Sequence, residues 1–211
     1  LGREEHWQGA TASSSWTRTR SQKEQWSLDT TEVTQVTTII GIQQDDGCFI
    51  AADSRTTADG GRPFSHTAVT KITKRGKFLI AGAGSVMPCD TIQHSWKPPA
   101  VPNRKDLFTF MVQEVVPSMR QCLKDAGYVQ DKDSDDDGFQ FLIAVHGVLY
   151  QVDDSYAAYM RDDGIYGIGS GSAYAIGALA QGADWRKALQ TAAKNDIYTS
   201  APFIIQKQEK P

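Results

Sequence analysis

Apolar residues in this chain recur with two periods, and the order in which those periods alternate restricts the fold more than any single residue does. Thr37 to Ile42 is β-branched and predicts a strand, Asp45-Asp46-Gly47 a hairpin turn, and Cys48 to Asp53 the returning strand. A polar, Gly-rich loop over 56–70 leads to Lys71-Ile72-Thr73, and Arg75-Gly76 turns into another strand, Lys77 to Gly82. Pro98, Pro99 and Pro102 mark a break. Beyond it Phe108, Met111, Val112, Val115, Met119, Cys122, Leu123 and Ala126 recur at three- and four-residue steps, the face of one buried helix. Gly127 suits its C-terminal cap and Pro117 a kink in its middle. Phe139–Val145 and Val148–Val152 form a hairpin turning at His146-Gly147, followed by a strand pair at Tyr156–Met160 and Ile165–Ile168. Two Ala-rich helices come next, Ser172–Gln181 and Asp184–Lys194, with Asp184 as an N-cap, and Pro202–Gln206 is a last strand. Strands, helix, strands, two helices, strand: this is a layered α+β chain with mostly antiparallel pairing, not an alternating βαβ sheet.

The segment before Thr37 stands outside this pattern. Residues 1–36 hold four of the Val/Ile/Leu/Met/Phe residues, eleven Ser/Thr and three of the five Trp, with no helical or strand period. So little aliphatic surface does not offset the entropy of ordering it, so residues 1–36 are expected to form a disordered or weakly ordered extension and residues 37–211 one domain. The extension lacks the apolar core of a secretory signal, and its five acidic residues argue against a transit peptide. A formal net charge of −3 argues against a nucleic-acid partner. No run approaches the roughly 18 apolar residues of a membrane span. Three widely spaced cysteines without a CxxC suggest neither a disulfide framework nor a zinc site, and the expected location is the reducing cytoplasm.

Most motifs have plain readings. Asp133-Ser-Asp135-Asp-Asp137-Gly138 imitates the start of an EF-hand loop, but position twelve would be Ala144 instead of a bidentate Glu, which leaves a solvated acidic loop. Gly167-Ile-Gly169-Ser-Gly171-Ser172 joins a strand to a helix with its third glycine displaced, and only about 40 residues follow, too few to complete a dinucleotide fold. It is either a tight turn or a turn that presents Ser170. The four histidines (His6, His66, His94, His146) sit at no metal-ligand spacing and near no GxSxG, so no Ser-His-Asp or Cys-His pairing is suggested.

One spacing does carry chemistry. Thr37, Asp53 and Lys71 sit at the ends of three predicted strands, which meet if those strands are neighbours. Threonine is a weak nucleophile until a base takes its proton, and an α-amino group on the same residue is such a base, with an unperturbed pKa near 8. Lys71 would lower the pKa of that amine, and Asp53 would keep the lysine charged and oriented. Strands often begin with Thr, so the trio alone also has an ordinary structural reading.

TTIIGI from Thr37, AADSRTT from Ala51, the Lys71-Ile72 pair, IAGAGS from Ile80 and GIGSGSAYAIGAL from Gly167, in this order, resemble the β-type proteasome family, and more closely its HslV-like bacterial branch. The resemblance runs from Thr37 to about Thr199. It implies a four-layer αββα sandwich of the N-terminal nucleophile hydrolase type, assembled as a homo-oligomer of stacked rings. By resemblance Thr37 is the nucleophile and, once freed, the base. Asp53 and Lys71 are its charged partners, and the Gly82 N–H is an oxyanion donor worth roughly 3 kcal/mol of barrier. Ser170 bonds the terminal amine, and Asp196 is the supporting aspartate. Ala193, Asp196 and Thr199 match positions whose backbone carbonyls hold a structural monovalent or divalent cation; no other cofactor is implied. Two positions depart from the family: Val36 stands where Gly usually precedes the nucleophile, and Thr199 where Ser is common.

The resemblance implies a threonine endopeptidase acting on unfolded polypeptides, supplied by an ATP-dependent unfoldase, with no nucleic acid or membrane involved. Two other readings are a catalytically silent ring subunit that retains residues 1–36 and an amidase acting on a small amide. In the active enzyme Thr37 is expected to come first. The extension is then a propeptide or an over-translated start, the latter fitting a GTG codon at Val36.

Overall fold

The expected two-residue alternation resolves into two stacked sheets in the computed structural model, which describes residues 34–35, 37–58, 62–64, 70–103, 106–128 and 138–211, all within the unit Thr31–Pro211. In chain order the elements begin with strands β1 (Thr34–Gln35), β2 (Ile39–Gln43), β3 (Gly47–Ala52), β4 (Thr56–Ala58), β5 (Arg62–Phe64), β6 (Ile72–Arg75) and β7 (Phe78–Ser85). Helices α1 (Val86–Asp90), α2 (Leu107–Phe110) and α3 (Val116–Asp125) follow, α1 continuing into a π-helical turn over Thr91–Ser95 and α2 running into α3 through another over Met111–Val115. Then come β8 (Phe139–Val145), β9 (Val148–Asp153), β10 (Ala158–Tyr159), β11 (Ile165–Ile168), α4 (Ser172–Ala180), α5 (Trp185–Asn195) and β12 (Ile204–Glu209). One sheet has the order β1-β7-β8-β9-β10 with β6 also on β7; the other has the order β11-β2-β3-β12, and β4 pairs with β5.

Alternate residues of the same strand enter different cores, and this stacks the layers. On β7, Phe78 and Ile80 join the core beneath α1–α3, whereas Leu79, Ala81 and Ala83 join the core between the sheets. On β3, Cys48, Ile50 and Ala52 face the inter-sheet core, and Phe49 and Ala51 meet the small residues of α4 and α5. Three successive cores require four layers: helices, sheet, sheet, helices. The expected αββα sandwich is the observed one. Small residues on α4 and α5, among them Ala175, Ala188 and Ala192, let that pair lie close to its sheet.

Several expectations need correcting. The long helix is not one uniform face: Phe108 and Val112 are exposed, while Phe110 and Val116 are buried. The π-turn shifts the helical phase, so a face extrapolated from one end misses at the other. Pro117 follows directly on that π-turn inside the continuous helical run, so the expected irregularity in the middle of the helix is present as a change of hydrogen-bond spacing next to the proline. Residues 56–70 include the β4–β5 pair, and the segment 86–95, which carries no clear period, is helical. Asp184 caps α5 as expected, its side chain accepting from the Lys187 N–H at 2.8 Å. The described structure begins upstream of Thr37, because Thr34–Gln35 pairs with Gly84 and Ser85 of β7. The rest of the expected extension, the EF-hand-like residues 133–137, His6 and His66 lie outside the described residues.

Candidate active site

β2 and β3 pair antiparallel with Ile39 opposite Ala52, so the residues just before β2 and just after β3 are neighbours. The Asp53 N–H accordingly donates to the Thr38 carbonyl at 3.1 Å. Lys71 lies immediately before β6 and reaches the same corner. Its Nζ donates to Asp53 Oδ1 at 2.6 Å and to Thr37 Oγ1, while Thr37 Oγ1 donates to Asp53 Oδ1 at 3.3 Å. Three residues separated by 16 and 18 positions thus form one hydrogen-bonded cluster. Thr37 and Asp53 are fully buried and Lys71 is 5% exposed.

Backbone donors hold the carboxylate in place. Thr38 N–H donates to Asp53 Oδ1 at 3.0 Å, and Arg55 N–H and Ser200 N–H donate to Oδ2 at 2.9 and 3.2 Å. Burial disfavours the ammonium and brings the pKa of Lys71 below the ordinary lysine value of 10.5; the charge and hydrogen bond of Asp53 oppose that shift.

Beside this corner lies a second cluster. Ser170 Oγ donates to Asp196 Oδ2 at 2.8 Å and Thr199 Oγ1 to the same oxygen at 2.5 Å; Thr199 Oγ1 also lies 2.5 Å from Thr38 Oγ1. The two clusters are joined twice through adjacent residues, at Thr37-Thr38 and at Thr199-Ser200. The strand-to-helix turn presses against both. Gly169 has φ +86°, and a Cβ there would lie 2.0 Å from the Thr37 carbonyl oxygen; a Cβ on Gly171 would lie 2.1 Å from Thr38 Oγ1. These glycines are required by close approach, and Gly169 also by its left-handed backbone.

Thr37, Asp53, Lys71, Ser170 and Asp196 are thus brought to one corner. Gly82 lies on β7, where continuing the Ile72–Ala81 register by one residue sets it opposite Lys71. Its α-carbon packs tightly, since a Cβ would come 2.8 Å from both Cys89 Sγ and Phe141 Cε1. Ala193, Asp196 and Thr199 line one open cavity of about 590 Å³, together with Arg55, Ile197 and Ser200. Backbone carbonyls suit a hard, oxygen-seeking cation, and the Asp196 carbonyl already accepts from the Thr199 N–H at 3.2 Å.

None of the cysteines is poised for nucleophilic work. Burial pushes the Cys48 thiol up to about 12 and raises those of Cys89 and Cys122. Among the described residues no three His, Cys, Asp or Glu side chains cluster as a metal site. No helix among them is long and apolar enough to cross a membrane. Sequence reasoning missed Thr38, the Arg55 and Ser200 amides, and the Arg55 guanidinium, which donates to the Ile197 carbonyl. Only their adjacency to Thr37, Asp53 and Thr199 could have pointed to them.

No protein-family model and no curated protein matches the sequence. Solved structures do match. BPH of Thiobacillus denitrificans in complex with epoxomicin is 25% identical at a TM-score of 0.64, over 83% of this chain and 100% of that one. Anbu (ancestral β-subunit) from Yersinia bercovieri is 13% identical at 0.62, over 82% and 81%. HslV from Trypanosoma brucei is 17% identical at 0.60, over 82% and 99%.

Proposed function

For a chain with the fold of the proteasome-like N-terminal nucleophile hydrolases, we propose the activity of a threonine endopeptidase that hydrolyses unfolded polypeptides. The observation that carries this reading is the buried Thr37–Asp53–Lys71 cluster, in which the hydroxyl oxygen touches an ammonium paired to a carboxylate.

In the full chain the Thr37 nitrogen is an amide, whose delocalised lone pair is no base. With the preceding residues removed it becomes an α-amine held beside its own hydroxyl. Thr37 Oγ1 attacks the scissile carbonyl carbon and its proton passes to that amine. The Gly82 N–H stabilises the tetrahedral oxyanion. On collapse the C–N bond breaks and the ammonium returns its proton to the leaving amine, leaving an acyl-ester on Thr37. Water attacks that ester, the amine accepts its proton, and release of the acid restores the hydroxyl. Charged Lys71 lowers the pKa of the α-amine and so favours its unprotonated, basic form.

The pairing of Thr34–Gln35 with Gly84–Ser85 favours a polypeptide over a small amide. It is a strand added beside the site, the mode by which an extended peptide is held through its main chain. In this reading copies of the chain assemble as stacked rings that enclose a chamber. An unfoldase would supply substrate to the chamber. Three cysteines outside any disulfide suit the cytoplasm. The carbonyls of Ala193, Asp196 and Thr199 would hold a structural cation, which would brace the turn carrying Asp196.

The test is degradation of unfolded casein by protein beginning at Thr37. Hydrolysis is expected, with loss of about 10³-fold or more in Thr37→Ala, the scale of removing an activated nucleophile. Epoxomicin is expected to inhibit it, as its complex with the Thiobacillus denitrificans protein suggests. Undiminished hydrolysis by Thr37→Ala would overturn the mechanism. An inert wild type retaining Leu1 in its native host would favour a silent subunit.

A further inference from the structure

In the second cluster the direction of every hydroxyl proton can be worked out. Asp196 Oδ2 accepts from Ser170 and Thr199, and Oδ1 accepts the Tyr198 N–H at 3.2 Å. A hydroxyl has one proton and two lone pairs. The Thr199 proton is committed to Asp196, so in the 2.5 Å contact between Thr38 and Thr199 the donor is Thr38. Donation therefore converges on Asp196 from both sides: Thr38 to Thr199 to Asp196, and Ser170 to Asp196. Ser170, with its proton directed inward, has only lone pairs left for anything else that approaches.

Burial separates the supporting arm from the working end. Thr38, Thr199 and Asp196 are 0%, 2% and 8% exposed, whereas Ser170 is open to solvent. Gly171 is pressed against the arm, since a Cβ there would lie 2.8 Å from both Asp196 Oδ2 and Thr199 Oγ1. The Thr38 hydroxyl meets Thr199 in a fully buried setting, and low local dielectric strengthens such a chain while making its interruption costly.

We infer that Thr38 is a positioning residue: its hydroxyl anchors the Thr199–Asp196 arm and so holds Ser170 as an oriented acceptor on the turn whose Gly169 packs against Thr37. The inference rests on the threonine-peptidase reading above. It makes the second residue of the mature chain, and not only the first, part of the machinery.

The test uses protein beginning at Thr37 and a fluorogenic peptide. Thr38→Val removes the hydroxyl at nearly constant shape, and Thr38→Ser retains it. Thr38→Val is expected to lower kcat about tenfold with KM within about twofold, and Thr38→Ser to stay within about twofold of wild type. In a double-mutant cycle with Ser170→Ala, Thr38→Val should cause less than about a twofold further loss, since both act through the Ser170 hydroxyl. Thr199→Val cuts the same arm at its midpoint and substitutes in the cycle if Thr38→Val does not fold. An unchanged kcat in Thr38→Val, or a full tenfold loss persisting in the Ser170→Ala background, would overturn the inference. Wild-type hydrolysis that is absent or insensitive to Thr37→Ala would instead overturn the peptidase reading beneath it.

Discussion

Five hydrogen bonds converge on the Asp53 carboxylate: Thr37, Thr38 and Lys71 on Oδ1, and the Arg55 and Ser200 amides on Oδ2. The two partners of the ion pair are therefore unequal. Removing Lys71 leaves a carboxylate that still has three backbone donors. Removing Asp53 leaves a buried ammonium and three orphaned N–H groups. Asp53→Ala is expected to destabilise by about 3–5 kcal/mol and Lys71→Ala by less, as thermal melting of the two variants can compare. The sign of the pH dependence follows from the same contacts. Burial lowers the pKa of Lys71 and Asp53 raises it. Activity that needs charged Lys71 is lost as pH rises through that pKa, so the alkaline limb of kcat/KM should lie below 10.5. In Asp53→Asn the opposing effect is gone, and the limb should move to lower pH. A limb that stays put or moves up would show that Lys71 is not its source.

At the scale of elements, the site is made by strand ends and one turn. β2 and β3 set Thr37 and Asp53 side by side, and the turn between β11 and α4 closes over them at Gly169 and Gly171. Gly169→Ala meets both a left-handed φ and the Thr37 carbonyl, and is expected to cost about 2–4 kcal/mol, lowering the melting temperature together with activity. Gly177→Ala, on α4 with nothing within 4 Å of its added Cβ, should leave stability equal or raised by up to about 1 kcal/mol. If the two variants melted alike, close packing of the turn would not be what the glycine serves. Strand positions were legible in the sequence: Phe139–Val145 and Ile165–Ile168 fall where their short apolar runs, bounded by turn residues, place them. The phase of the helix from 107 to 125 was not: Pro117 marks an irregularity there, but not that it takes the form of a π-turn that rotates the buried face.

Across the whole molecule, the proposed activity depends on assembly. A ring would enclose the sites in a chamber and restrict entry to unfolded segments. Light scattering on the mature protein is expected to give a mass several times that of one chain, and a stable monomer would count against an enclosed chamber. By itself the sequence determined the α+β class, most of the strand and helix order and the identity of Thr37, Asp53 and Lys71 as a possible trio. Those features follow from local periods and residue chemistry, which neighbours in the chain carry. Only the tertiary structure decided that Thr38 touches Thr199 across 161 positions, that Asp196 gathers donors from two sides, and that the Arg55 and Ser200 amides hold Asp53. Hydrogen-bond direction depends on which acceptors share a partner, and that is settled by packing between segments distant in sequence.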